Sequence, residues 1–168
     1  QVGLPSETLL RAAYELVQNA SGGAISSEEA AGYSSRALTA LRDLAVSGNS
    51  VLPVADAATT LIAALPEATG ETKVRIGEVL SRIDEERTQR AVMDAALSAE
   101  GEEQVTLLGL VSGSAKRYGN KLEARQLSRL MKLAKEGADA QATGAASLMG
   151  ALQLPNADLL PLIVGGSK

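Results

Sequence analysis

The stretch GETKVRIGEVL, Gly70 to Leu80, is echoed 31 residues later by GEEQVTLLGLV, Gly101 to Val111. Each opens on Gly-Glu, sets Val at its fifth position and then carries apolar residues at helical spacing. With Arg75 and Thr106 in one column, SRALTALRDL brings Arg36 to it and ATGAASLMGAL brings Thr143. Five residues on stand Leu41, Leu80, Val111 and Leu148, all apolar and expected to be buried. The columns are 39, 31 and 37 residues apart, and each interval has room for one further helix. A chain written this way reads as successive helix pairs at nearly the period of α-solenoid repeats. The reason to repeat is burial: one helix pair cannot cover its own apolar face, and a stack of them makes a continuous core.

The punctuation supports helices throughout. LPSETLLRAAYELVQNASGG sets Leu9, Leu10, Ala13, Leu16 and Val17 on one face and stops at Gly22-Gly23. Ser26-Ser27-Glu28-Glu29 has capping-box spacing, and the helix it opens runs to about Val46, before Gly48-Asn49. A third helix opens at Leu52-Pro53 and ends near Leu65-Pro66; TGETKVRIGEVLSRID and EERTQRAVMDAALSAEG are the fourth and fifth. A sixth closes at Gly119, a seventh starts at the cap-like Asn120-Lys121-Leu122-Glu123 and closes at Gly137, and an eighth ends at Pro155. NADLLPLIVGG makes a short ninth. No stretch alternates apolar and polar long enough for a strand. Gly77, Gly109, Gly113, Gly144 and Gly150 fall inside these helices. Each costs about 1 kcal/mol against Ala, which implies close helix contacts or breaks at those points.

Composition narrows the chemistry. The chain has 168 residues, no Cys, no His, no Trp and no Phe. Without Cys there is no disulfide, thiolate nucleophile or Cys-ligated metal, and without His the usual general base and commonest transition-metal ligand are gone. No cofactor or metal site is expected. No Gly-x-Ser-x-Gly elbow, Ser-x-x-Lys pair or P-loop occurs. The carboxylate pairs Glu28-Glu29, Glu85-Glu86 and Glu102-Glu103 sit at predicted helix starts, where negative charge favours the macrodipole. No apolar run approaches the ~18–20 residues of a membrane span. The formal net charge of −4 argues against a globally basic nucleic-acid binder. The chain begins with Gln1 rather than Met, as a fragment or processed product would. Asn19-Ala20-Ser21 matches a glycosylation acceptor.

Charge is nevertheless uneven. Seven of the sixteen basic residues and one acid lie between Lys116 and Lys135. On a helical wheel Leu122, Leu127, Leu130, Met131, Leu133 and Ala134 fill one side, while Lys121, Arg125, Arg129, Lys132 and Lys135 fill the other. Such a face suits an acidic protein, a phosphate or an anionic surface; it equally suits a solvated helix back whose long side chains shield an apolar stripe. A second candidate surface follows the repeat columns: Arg36, Arg75, Thr106 and Thr143; then Thr39, Glu78, Gly109 and Ala146; then Asp43, Arg82, Gly113 and Gly150. The glycines and alanines in these rows could instead be buried between helices.

Val74-Arg75 at the start of a second helix, and Leu148-Met149-Gly150-Ala151-Leu152 at the end of another, resemble motifs of the HEAT-repeat family. The resemblance spans nearly the whole chain, although the family's turn Pro and Asp are mostly missing and one unit alone carries Val-Arg. It implies an all-α superhelix of about four antiparallel helix pairs plus a short terminal helix, forming a single repeat domain over 1–168. It also implies a non-catalytic protein-interaction or scaffolding module, which could be one domain of a longer protein. The alternatives are a small helical enzyme or accessory subunit using Asp, Glu, Lys and Arg, and an anion- or nucleic-acid-binding solenoid working through the basic helix 121–136. The apolar C-terminal segment, with Leu159, Leu160, Leu162, Ile163 and Val164, is expected to pack on a second copy or on a following region of a longer chain.

Overall fold

In a computed structural model the described residues, 27–48 and 54–154, form seven α-helices and one 3-10 helix, with no strand among them. Side chains of residues 27–31, 33 and 34 are outside that description, as are the predicted first and ninth helices and the Ser26-Glu29 capping box. The elements are α1 (Ser27–Ser47), the 3-10 helix Val54–Ala57, α2 (Ala58–Ala64), α3 (Gly70–Leu80), α4 (Glu86–Ser98), α5 (Gly101–Tyr118), α6 (Ala124–Glu136) and α7 (Asp139–Ala151). The chain is all-α. No described helix is long and apolar enough to cross a membrane.

The opening repeat has a backbone cause. Before α3, Thr69 is extended at φ −133° and ψ 156°, and Gly70 turns left-handed at φ 54°. Before α5, Glu100 is extended at φ −129° and ψ 164°, and Gly101 turns left-handed at φ 57°. The same turn is made twice, and glycine alone makes it without a steric penalty. Glu71, Glu102 and Glu103 then occupy first-turn positions, where their charge meets the positive end of the helix dipole.

The chain divides into two compact units, residues 1–83 and 84–168. In the first, α1 packs on α3, α2 packs on the 3-10 helix and on α3, and the 3-10 helix also touches α1. Leu38, Leu41, Leu61, Leu65, Ile76, Val79 and Leu80 form its core. Two polar struts join α1 to α3. Arg42 pairs with Glu78, and Arg75 donates to Thr39 Oγ1 at 2.9 Å. The expected third helix is shorter than its apolar pattern, because its first turn is 3-10 and α2 begins only at Ala58. The β-branched Thr59 and Thr60, which are weak helix formers, open α2.

In the second unit α4 packs on α5 and α6, α5 on α7, and α6 on α7. Val92, Met93 and Ala96 of α4 meet a core shared by Leu107, Leu108, Val111 and Ala115 of α5, Leu130 of α6, and Ala145, Leu148 and Met149 of α7. The four column residues Leu41, Leu80, Val111 and Leu148 are 1%, 0%, 0% and 0% exposed, as the sequence column requires. The helices run unbroken through their glycines. Close approach occurs at Gly144, where an added Cβ would sit 3.5 Å from Leu108 Cδ1 and 3.8 Å from Val105 Cγ1. Gly109 and Gly150 face open space, so the expectation of burial between helices is corrected for them, as it is for the exposed Ala146.

Candidate functional site: the basic helix and its cleft

Helix α6 is amphipathic in the way its sequence prescribes. Leu130 is fully buried, Leu127, Met131, Leu133 and Ala134 are half-buried, and Arg125, Arg129, Lys132 and Lys135 are exposed. The helix begins at Ala124, three residues later than a helix over 121–136 would. Glu123 is the N-cap, and its backbone N–H donates to Gln126 Oε1 at 3.1 Å. Lys121 therefore belongs to the connection before α6 rather than to the basic face. Its backbone N–H donates to Gln89 Oε1 at 2.8 Å, and its ammonium pairs with Asp84.

The remaining cations differ in how far neighbouring groups compensate them. Arg125 lies 4.0 Å from Asp94, and Lys132 lies 3.7 Å from Glu136 one turn on. Both pairs are well exposed, and such pairs contribute at most about 1 kcal/mol. Arg129 donates to the backbone oxygen of Leu97 at 3.1 Å and has no carboxylate partner among the described residues. Lys135 has no ion pair there either. The uncompensated positive charge of this face thus centres on Arg129 and Lys135.

Beneath Arg129 and Lys132 opens a cleft of about 240 Å3. Leu97 at the end of α4, Gln104 in the first turn of α5, and Arg129, Lys132, Leu133, Glu136 and Gly137 along α6 line it. Two aliphatic walls, two cations, one carboxylate and one carboxamide thus meet in one concavity.

Gln104 is the residue that reading charge and repeats misses, along with Gln89 and Gln126. All three are buried. Gln89 Nε2 donates to Ser114 Oγ and to the Gly119 oxygen, both at 3.1 Å, while its Oε1 accepts from Lys121. Gln126 Nε2 donates to the Arg90 oxygen at 2.9 Å, and its Oε1 accepts from Glu123. Gln104 Nε2 donates to the Ala96 oxygen at 2.9 Å, which fixes which way the carboxamide is turned. Its Oε1 is buried without a partner, alone in this among buried side-chain polar atoms of the described residues. The signal for all three is a glutamine inside an apolar stripe: 89 before 92, 93 and 96; 104 before 107, 108 and 111; 126 before 130 and 133.

The column residues are distributed over both units. Arg36 is exposed on α1, and Arg82 is half-buried just past α3. Arg75 is engaged with Thr39, with Ser35 Oγ at 3.5 Å and with Glu71 at 2.6 Å. Glu78 is held by Arg42, whose already high pKa it pushes further up. In the second unit Thr106 and Thr143 are both exposed on the packed helices α5 and α7. Each hydroxyl donates back to its own helix, to the backbone oxygen of Glu102 at 2.9 Å and to that of Asp139 at 2.7 Å. The cleft brings Arg129 and Lys132 together and leaves the column residues outside it. Comparison with protein-family models, with curated proteins and with solved structures finds no match for this chain.

Proposed function

We propose that the chain is a non-catalytic protein-interaction module, a HEAT-like stack of helix pairs that meets an acidic partner through the α6 face. What supports the stacked reading is the packing of α4 on α6 and of α5 on α7, first helix on first and second on second. What supports a binding role is a single observation: Arg129, which lacks a carboxylate partner, and Lys132 stand over a cleft with aliphatic walls. Charge outside and apolar surface inside is how a specific protein contact divides its rim from its core. The lack of His and Cys in the sequence supports a role without catalysis. A broad phosphate-binding surface is less well supported, because Lys121, Arg125 and Lys132 each have a carboxylate within 4.0 Å.

The test is affinity capture with the whole chain, run beside an Arg129→Glu/Lys132→Glu double variant of equal melting temperature. A partner held by the wild type and released by the variant is the expected outcome. Equal recovery on both, or none on either, would remove this face as the interaction surface. Retention on single-stranded or double-stranded nucleic acid with a steep salt dependence would favour the phosphate-binding alternative.

A further inference from the structure

We infer that Arg129 is a latch that holds the C-terminal half of α6 against α4, and that the cleft is where the seam between these two helices has parted beyond the latch. The seam can be followed bond by bond. At its closed end the ties are short and partly buried. Gln89 Oε1 accepts from Lys121 N–H at 2.8 Å, Arg90 Nε donates to the Lys121 oxygen at 2.8 Å, and Gln126 Nε2 donates to the Arg90 oxygen at 2.9 Å. One turn along α4, Arg125 comes only within 4.0 Å of Asp94, in an exposed pair. The last polar tie to α4 among the described residues is the exposed bond from Arg129 to the Leu97 oxygen, at 3.1 Å. Past it, Leu97 and Leu133 line the cleft on either side.

Both helices have a reason to keep this bond. The last carbonyls of a helix find no partner within it. In α4 the Ala95 oxygen accepts from Ala99 N–H at 3.0 Å and the Ala96 oxygen from Gln104 Nε2 at 2.9 Å, which leaves the Leu97 oxygen to Arg129. A cation is also favourable at the negative end of the α4 dipole. On the other side, α6 has little else to fasten its second half. Leu130 is its one buried apolar side chain, whereas α7 buries Ala145, Leu148 and Met149. Beyond Leu130, Leu133 and Ala134 are half-buried, and Lys132, Lys135 and Glu136 are exposed. Few buried apolar contacts and exposed polar bonds are the marks of a segment that opens before the whole molecule does. Arg129 thus acts as a positioning residue for the cleft, set by the carbonyl end of α4. The latch stands whether or not a partner binds, and an acidic partner would draw on the same guanidinium.

The experiment is residue-by-residue amide exchange of the full chain by NMR, in the wild type, Arg129→Gln and Lys132→Gln. Each variant removes one positive charge from the exposed face of α6 at nearly equal helix propensity, but only Arg129→Gln breaks the bond to Leu97. Arg129→Gln should speed exchange from Met131 to Gly137 about tenfold, the worth of one hydrogen bond from a charged donor. The Gly137 N–H, bonded to the Leu133 oxygen at 2.9 Å, belongs to that set. The Leu127 N–H, bonded to the Glu123 oxygen at 3.0 Å at the closed end, should keep its wild-type rate, as should the amides of α5. Lys132→Gln should change exchange from Met131 to Gly137 by about twofold or less, because its exposed pair with Glu136 lies within α6. Unchanged exchange in Arg129→Gln overturns the latch. So does an equal rise in Lys132→Gln, which would make the effect one of charge rather than of this bond. A rise spread evenly from Gln126 to Gly137 overturns it as well, since the seam would then yield as one piece.

Discussion

Glycine separates three kinds of position here, and each predicts a different sign of effect. Gly70 and Gly101 make left-handed turns at φ 54° and 57°, so alanine there should cost about 1–2 kcal/mol. Gly109 lies in the interior of α5 and Gly150 in the last turn of α7, each with nothing within 4 Å of an added Cβ. Alanine at either should stabilise by about 0.5–1 kcal/mol, through the smaller entropy of the unfolded chain. Gly137 is the third kind: a Cβ there would stand 2.5 Å from the Leu133 backbone oxygen and 3.1 Å from Leu133 Cδ1. Gly137→Ala should cost about 1–3 kcal/mol, the range of overpacking, because backbone must yield. Denaturant midpoints at constant slope would measure all five. A loss at Gly109 or Gly150 would mean that these helix faces are covered.

At the scale of elements, the sequence predicted seven helices over the described residues, and seven α-helices form. Periodicity and glycine or proline stops locate α4, α5 and α7 to within a few residues, because an apolar stripe and its end signals are local properties. The start of α6 was less legible. Asn120 looks like a cap, yet its Oδ1 accepts from Leu122 N–H at 3.0 Å and holds a turn, and Glu123 becomes the N-cap. That choice depends on Gln89, 32 residues before Lys121, whose backbone N–H it receives. Long-range bonds of this kind leave no local trace beyond a polar residue in an apolar stripe. Gln89 therefore carries a prediction. Gln89→Leu would keep the volume of the α4 side chain and strip partners from Lys121 N–H and Gly119 oxygen. It should cost about 1–3 kcal/mol for the groups left unpaired. Amide exchange should rise first between Gly119 and Glu123. A loss of a few tenths of a kcal/mol, with exchange unchanged, would show the connection to be held by its helices alone. The candidate site was legible to the same extent: Arg129 and Lys132 stood out by charge, but Gln104 and the leucine walls meet them only in three dimensions.

At the scale of the whole molecule, the relevant unit of stability is residues 84–168. Its described part buries Val92, Met93, Leu107, Leu108, Val111, Leu130, Leu148 and Met149 among four mutually packed helices. Its polar bonds close within it as well: Gln89 to Ser114, Arg90 Nε to the Lys121 oxygen at 2.8 Å, and Gln126 to Arg90. A segment with its own apolar core, and with long-range polar bonds that close inside it, meets the physical conditions for folding alone. Residues 84–168 expressed by themselves should show a helical spectrum and a single cooperative melt. The margin should be small, since a chain of this size is stabilised by about 0.05–0.15 kcal/mol per residue. Leu108 gives the sharpest check, because it is fully buried and touches α7 near Gly144. Leu108→Ala should cost about 2–5 kcal/mol and take most of that margin, leaving a broad, low-temperature melt. Ala146→Ser, on the exposed side of α7, should change stability by no more than about 0.5 kcal/mol. If residues 84–168 alone are unfolded while the full chain is folded, the segment is no autonomous unit. The pair of substitutions would then have to be read in the full chain.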